Sequence, residues 1–198
     1  MLLTILYIVK MANGLFVELR LHGRGGQGIV TASEMLVEAA SIEGFFGQSI
    51  PSFGAERRGA PVIASARISD EPIRRHCQVY TPDFIVLFDP LFLAKKEVTS
   101  GLKENGSIIV NSKQEPKIDC FKVYYVDASG IALRNGLMVA GWAVVNTAML
   151  GAIARVIGKI SRDAVEKVVR MRWGGDLGTR NIEAALQAYE EVSGWAKK

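Results

Sequence analysis

The sequence predicts an α/β fold, a three-layer α/β/α domain built on a mostly parallel sheet. From Phe16 to Ala40 an apolar strand (Phe16, Val17, Leu19, Leu21), a glycine turn (His22-Gly23-Arg24-Gly25-Gly26-Gln27-Gly28) and a helical run follow without a break, the order that opens a nucleotide-type sheet. Asp83-Phe84-Ile85-Val86-Leu87-Phe88-Asp89 is a continuous apolar run between Thr81-Pro82 and Pro90, the mark of a strand buried on both faces of a parallel sheet. Further apolar runs at Gly106 to Asn111 and Phe121 to Asp127, the first preceded by helical signal from Leu91 to Leu102, give alternating strands and helices and hence a sheet covered on both sides. The predicted arrangement is Rossmann-like.

Residues 1–13 read as an apolar N-terminal extension. Met1 to Val9 lacks the basic start and small-residue cleavage site of a signal peptide and is too short to cross a bilayer. Residues 14–198 read as a single domain. In the first strand Val17, Leu19 and Leu21 alternate with Glu18, Arg20 and His22, which predicts one wet or partner-facing side rather than a fully buried central strand. From Ile29 to Ile42 the positions Val30, Met35, Leu36, Ala39 and Ala40 keep helical spacing, with Glu34 and Glu38 opposite and Gly44 at the exit.

Gln48 to Pro61 is broken by Pro51, Gly54, Gly59 and Pro61 and predicts a long loop. Its Glu56, Arg57 and Arg58 leave two readings open, a functional loop or a solvated turn. Val62 to Ile68 predicts a strand and Ser69 to Pro72 a turn; Ala128 to Arg134 predicts a short helix closed by Asn135-Gly136. Leu137 to Ile157 is apolar over a length that raises a membrane span. Gly141, Asn146, Thr147, Gly151 and Arg155 interrupt it, so a helix buried against another layer is expected, with small residues such as Ala148 and Gly151 admitting a close neighbour. Ser161 caps a helix through Val169, and Gly174 to Gly178 is expected to break the chain before a last amphipathic helix from Asn181 to Trp195.

With 24 Lys and Arg against 20 Asp and Glu, the net charge of +4 is too mild for a nucleic-acid-binding surface. The basic groups Arg57-Arg58 and Arg74-Arg75-His76 are clustered near turns, where they could form a local phosphate site. Cys77 and Cys120 have no C-x-x-C spacing, so this chain by itself builds neither a zinc site nor an iron–sulfur cluster, and both are expected as buried, reduced thiols. A P-loop, a Gly-x-Ser-x-Gly elbow and a His-Glu-x-x-His helix are all absent.

Of the two histidines, His22 either touches a ligand or is only hydrogen-bonded at its strand end. Cys77 would become a nucleophile only if Arg74, Arg75 and His76 pointed at it. Gly23-x-Gly25-x-x-Gly28 fits the dinucleotide spacing, but the ribose acid expected about 20 residues on is missing, since that neighbourhood reads Phe46-Gly47-Gln48-Ser49-Ile50. The turn is suited to a phosphate, or to tight strand–helix packing, more than to NAD.

The Gly-Gly-Gln-Gly turn, the run Phe53-Gly54-Ala55-Glu56-Arg57-Arg58-Gly59-Ala60-Pro61 and Glu71-Pro72-Ile73-Arg74 together resemble the gamma subunits of 2-oxoacid:ferredoxin oxidoreductases, over about Leu15 to Val192. The form of the Phe53 to Pro61 run looks like the pyruvate type rather than the 2-oxoglutarate or branched-chain types.

The resemblance implies an assembly that converts pyruvate and coenzyme A reversibly to acetyl-CoA and CO2 with ferredoxin as electron acceptor, and the lack of a cleavable signal gives the cytoplasm as its expected place. It implies alpha, beta and delta partner subunits carrying thiamine diphosphate, Mg2+ and 4Fe-4S clusters. This chain would then bind no cofactor alone and hold no catalytic residue or metal. It would supply coenzyme A contacts from Gly25, Gly26, Gln27, Gly28, Glu56, Arg57 and Arg58, together with subunit docking. Arg57 and Arg58 meet either coenzyme A or another subunit on this reading. A purely docking subunit, or one serving another 2-oxoacid (2-oxoisovalerate, 2-oxoglutarate), are the alternatives.

Overall fold

The computed structural model describes residues 14–52, 59–118 and 120–194. The expected N-terminal extension, and Glu56, Arg57 and Arg58, lie outside them. A seven-stranded sheet has the order β2-β3-β1-β4-β5-β6-β9, formed by β1 (Phe16–Arg24), β2 (Phe46–Ser52), β3 (Pro61–Ser69), β4 (Phe84–Leu87), β5 (Ser107–Asn111), β6 (Lys122–Val126) and β9 (Ser193–Gly194). The hairpin β7 (Met138–Val139) and β8 (Trp142–Ala143) stands apart. β1, β4, β5 and β6 pair in parallel, while β3 runs antiparallel between β1 and β2, and β9 antiparallel to β6. β1, β2, β4, β5 and β6 therefore point one way, and the expected α/β class with a mostly parallel sheet holds.

The helices are α1 (Ile29–Ile42), α2 (Lys96–Thr99), α3 (Ala128–Arg134), α4 (Asn146–Ile157), α5 (Arg162–Arg172) and α6 (Gly175–Glu191). One face of the sheet, with Leu19, Leu21, Ala66, Val86 and Ile109, forms the main core with α1, α3, α4, α5 and α6. The other face, with Ile85, Leu87, Ile108 and Val110, is closed by a thinner cover that includes Phe92 of a 3-10 turn (Pro90–Ala94) and Val98 of α2. Among the described residues no helix is long and apolar enough to cross a membrane.

Several expectations are corrected. β1 is central, with strands on both sides, and its polar alternation faces protein instead of water. Arg67 is 1% exposed and donates from Nε to the buried Glu18 carboxylate (2.9 Å) and from Nη1 to Gln48 Oε1 (3.0 Å) and the Cys77 carbonyl (2.7 Å). Arg20 donates to the carbonyls of Val98 (2.9 Å) and Ser100 (2.5 Å) and to His22 Nε2 (3.1 Å). A buried polar layer satisfied within the chain thus carries the same period-2 signature as a wet face.

The expected loop from Gln48 begins as β2, in register with β3 from Phe46↔Ser69 to Ser52↔Ile63. Pro51 is tolerated because β2 is an edge strand. Gly47 is needed because a Cβ there would meet Val37 Cβ of α1 at 2.5 Å.

The Leu91 to Leu102 signal resolves into the 3-10 turn and the four-residue α2. Leu137 to Ile157 is half hairpin and half helix, since α4 starts only at Asn146. Its small residues do admit a neighbour: a Cβ on Gly151 would stand 1.9 Å from the Ala185 carbonyl of α6. The last helix starts at Gly175 and ends at Glu191, so the glycines begin it instead of breaking it, and Gly178 packs tightly on the Trp173 carbonyl. Cys77 and Cys120 are free as expected but exposed rather than buried, because both fall on connections that run over the surface. Ser161 caps α5 as predicted, accepting from the Ala164 N–H at 3.1 Å.

Candidate functional site

β1 ends at Arg24 and α1 begins at Ile29, so Gly25 to Gly28 must carry the chain from the carboxyl edge of the parallel strands onto the helix. Gly26 (φ +99°) and Gly28 (φ +77°) take left-handed backbone that side chains disfavour. Gly28 caps α1 and makes no side-chain cap bond, so the first helical N–H groups, at the positive end of the dipole, receive none from the cap residue. Among the described residues, its chain neighbours aside, no atom lies within 4 Å of where a Cβ on Gly26 would stand. Gln27 points inward: its Oε1 accepts from the Arg24 N–H (2.7 Å) and its Nε2 donates to the Phe88 carbonyl (3.4 Å). Its side chain ties the turn to the end of β4.

The far end of the charged loop is bonded to this turn. The Gly25 N–H donates to the Ala60 carbonyl (2.9 Å), and the Gly59 N–H donates to the Gly25 carbonyl (3.1 Å). Arg24 extends the junction, donating from Nη1 to the Gly59 carbonyl (3.3 Å), pairing with Asp89 (2.5 Å) and lying over the Phe92 ring (5.6 Å). Beyond β4, Asn111 at the end of β5 holds the Phe88 carbonyl (3.0 Å) and the Ser129 hydroxyl (2.9 Å). These contacts gather at the carboxyl ends of β1, β4 and β5, on the boundary where helical crossovers change sides, the usual ligand position in such sheets.

Sequence reasoning missed Arg24, Asp89 and Asn111. Asp89-Pro90 and Asn111 directly after buried apolar runs were the available signals, since a polar residue ending such a strand caps or clasps the next turn of chain.

The Arg74-Arg75-His76 cluster does not join the site. The Arg75 guanidinium lies over the ring of Phe16 (5.3 Å), at the start of β1, whereas the glycine turn is at its other end, roughly 25 Å away at ~3.3 Å per strand residue. His22 is 5% exposed beneath Phe92, with ring centroids 6.3 Å apart. Of its two readings the structure bears out the hydrogen-bonded one. Burial, and after it the Arg20 charge, lower its pKa to about 4, so at neutral pH it is an uncharged acceptor for Arg20 Nε. Among the described residues no group of three or more His, Cys, Asp or Glu could hold a metal ion.

Residues 18–191 match the family model described as pyruvate ferredoxin/flavodoxin oxidoreductase. The chain belongs to this family. Among curated proteins, pyruvate synthase subunit PorC of Methanothermobacter marburgensis is 47% identical over 176 residues, 89% of this chain and 97% of that protein. The pyruvate/ketoisovalerate oxidoreductases common subunit gamma of Pyrococcus abyssi is 45% identical over 187 residues, with the same shares covered.

Among solved structures, pyruvate oxidoreductase subunit PORC of Thermotoga maritima is 34% identical with a TM-score of 0.79, covering 91% of this chain and 99% of that one. The 2-oxoglutarate:ferredoxin oxidoreductase of Magnetococcus marinus, solved with 2-oxoglutarate, coenzyme A and succinyl-CoA bound, shares the fold at 20% identity and a TM-score of 0.73. There this chain corresponds to 32% of a longer one.

Proposed function

We propose that this chain is the gamma subunit of a multi-subunit 2-oxoacid:ferredoxin oxidoreductase, a pyruvate synthase, and that its glycine turn and charged loop hold the phosphates of coenzyme A. The pairing of Gly25 with Gly59 and Ala60 carries the reading, because it anchors the exit of the Glu56-Arg57-Arg58 loop on the turn itself. Helix N–H groups suit a diphosphate, and arginine forks bind phosphate oxygens in bidentate fashion. Gly25, Gly26 and Gly28 supply backbone approach, Gln27 fixes the turn, and Arg57 and Arg58 supply charge. Thiamine diphosphate, Mg2+ and the 4Fe-4S clusters reside on alpha, beta and delta partners, and electrons leave to ferredoxin through the complex. The likeness to PorC and common gamma subunits supports the reading.

In the assembled enzyme, Arg57→Ala or Arg58→Ala weakens coenzyme A binding by roughly 1.5–3 kcal/mol, the range for a hydrogen bond to a charged group. An unchanged KM for coenzyme A in both variants would move the arginines to subunit contact and leave the chain a docking subunit.

A further inference from the structure

A second feature adjoins the glycine turn. Between the β7–β8 hairpin and the start of α6 lies a cavity of about 170 Å³, walled by Leu137, Met138, Trp173 and Leu177 with Asn146 and Asn181 among its lining. That is below the roughly 300–1,000 Å³ of a pocket enclosing a whole ligand, so it suits one segment of a larger molecule. Asn146 joins it to the turn, since a Cβ on Gly28 would stand 2.9 Å from Asn146 Nδ2.

Of the two amides there, Asn181 is bonded within the chain, its Nδ2 donating to the Leu177 carbonyl (2.9 Å). Asn146 is 4% exposed, and its Oδ1 accepts from the Thr147 N–H (2.9 Å), which fixes the amide's orientation. Its Nδ2 lies against Gly28, on the side of the glycine turn. Among the described residues Arg180 Nε is buried without a partner, and a Cβ on Gly136, at the cavity wall, would stand 3.1 Å from Arg180 Nη1. A buried donor without an acceptor is uncommon and calls for an explanation. The hairpin above is apolar and exposed at Met138 and Trp142, and its turn holds Ala140 at φ +48°, a strained conformation of the kind that clusters at ligand clamps.

Resting on the phosphate site proposed above, we infer that this cavity takes the amide- and methyl-bearing arm that coenzyme A carries beyond its diphosphate. Asn146 Nδ2 donates to an arm carbonyl, and Leu137, Met138, Trp173 and Leu177 cover its methyl groups. The arm leaves the turn beside Gly28 and passes under the hairpin.

The test uses the assembled oxidoreductase with two probes, coenzyme A and 3′-phosphoadenosine 5′-diphosphate, which has the phosphates but no arm. Asn146→Ala and Leu177→Glu each raise the KM for coenzyme A about 10-fold, the scale of one lost hydrogen bond or buried apolar contact. The inhibition constant of the armless nucleotide stays within about twofold on the same scale. Leu177 is 46% exposed, so its variant keeps the fold even where Asn146→Ala does not. An unchanged KM in Leu177→Glu, or a parallel rise in the nucleotide's inhibition constant, overturns the inference. If the nucleotide does not compete with coenzyme A in the unaltered complex, the phosphate site itself fails, a result distinct from the other two.

Discussion

His22 makes the chain acid-sensitive in a window set by its burial. The ordinary imidazole value is 6.5 and the folded value about 4, so between these pH values the unfolded chain binds a proton that the folded chain does not. Stability therefore rises with pH across that window and is fully present above 6.5. At ~1.36 kcal/mol per pKa unit, lowering the pH from 7.5 to 4.5 removes about 2.5 kcal/mol through this one group. The carboxylates respond to acid as well, so the measurement is a difference. Urea unfolding is followed at both pH values for the native chain and for His22→Gln, whose side-chain carbonyl still accepts from Arg20 but does not titrate. The native chain should lose about 2.5 kcal/mol more than the variant. The sequence has only two histidines, so the His22 ring resonance is assignable, and its midpoint should fall near 4. Equal acid losses in the two chains, or a His22 midpoint at 6 or above, would refute the burial and Arg20 argument.

Two further outcomes rest on named contacts. Arg67→Met leaves the Glu18 carboxylate buried and loosens the chain around Cys77 and Gln78, which Arg67 holds through their carbonyls. It should cost roughly 3–5 kcal/mol, and Glu18→Leu added to it should recover much of that; a single-variant cost under about 1 kcal/mol in urea would show that the pair is not buried as described. Ala140 (φ +48°) and Gly141 (φ +83°) form the two-residue hairpin turn, and Ala is disfavoured there. Ala140→Gly should stabilise by about 0.5–1 kcal/mol, a rise of a few degrees in Tm. A fall in Tm would mean that the strain at Ala140 has been misjudged.

Features that depend on neighbours along the chain were legible in the sequence. The glycine turn between Arg24 and Ile29, α1, the buried runs of β4 and β5 and the Ser161 cap all rest on spacing within a few residues, and the structure has them where spacing put them. The motifs spanning the turn and the charged loop carried the family resemblance for the same reason, because a shared backbone geometry keeps its residue types in order.

Only the tertiary structure decided the features whose partners lie far apart in sequence. Glu18, Arg20 and His22 looked wet because their partners, Arg67, Val98, Ser100 and Phe92, belong to other elements. β2 looked like loop because an edge position tolerates Pro51 and the crossing of α1 requires Gly47. Arg24 meets Asp89, and Asn146 meets Gly28, only because the folded chain brings these separate elements together. The one-dimensional pattern records whether a residue is polar, whereas the folded chain determines whether that polarity is answered by water or by protein.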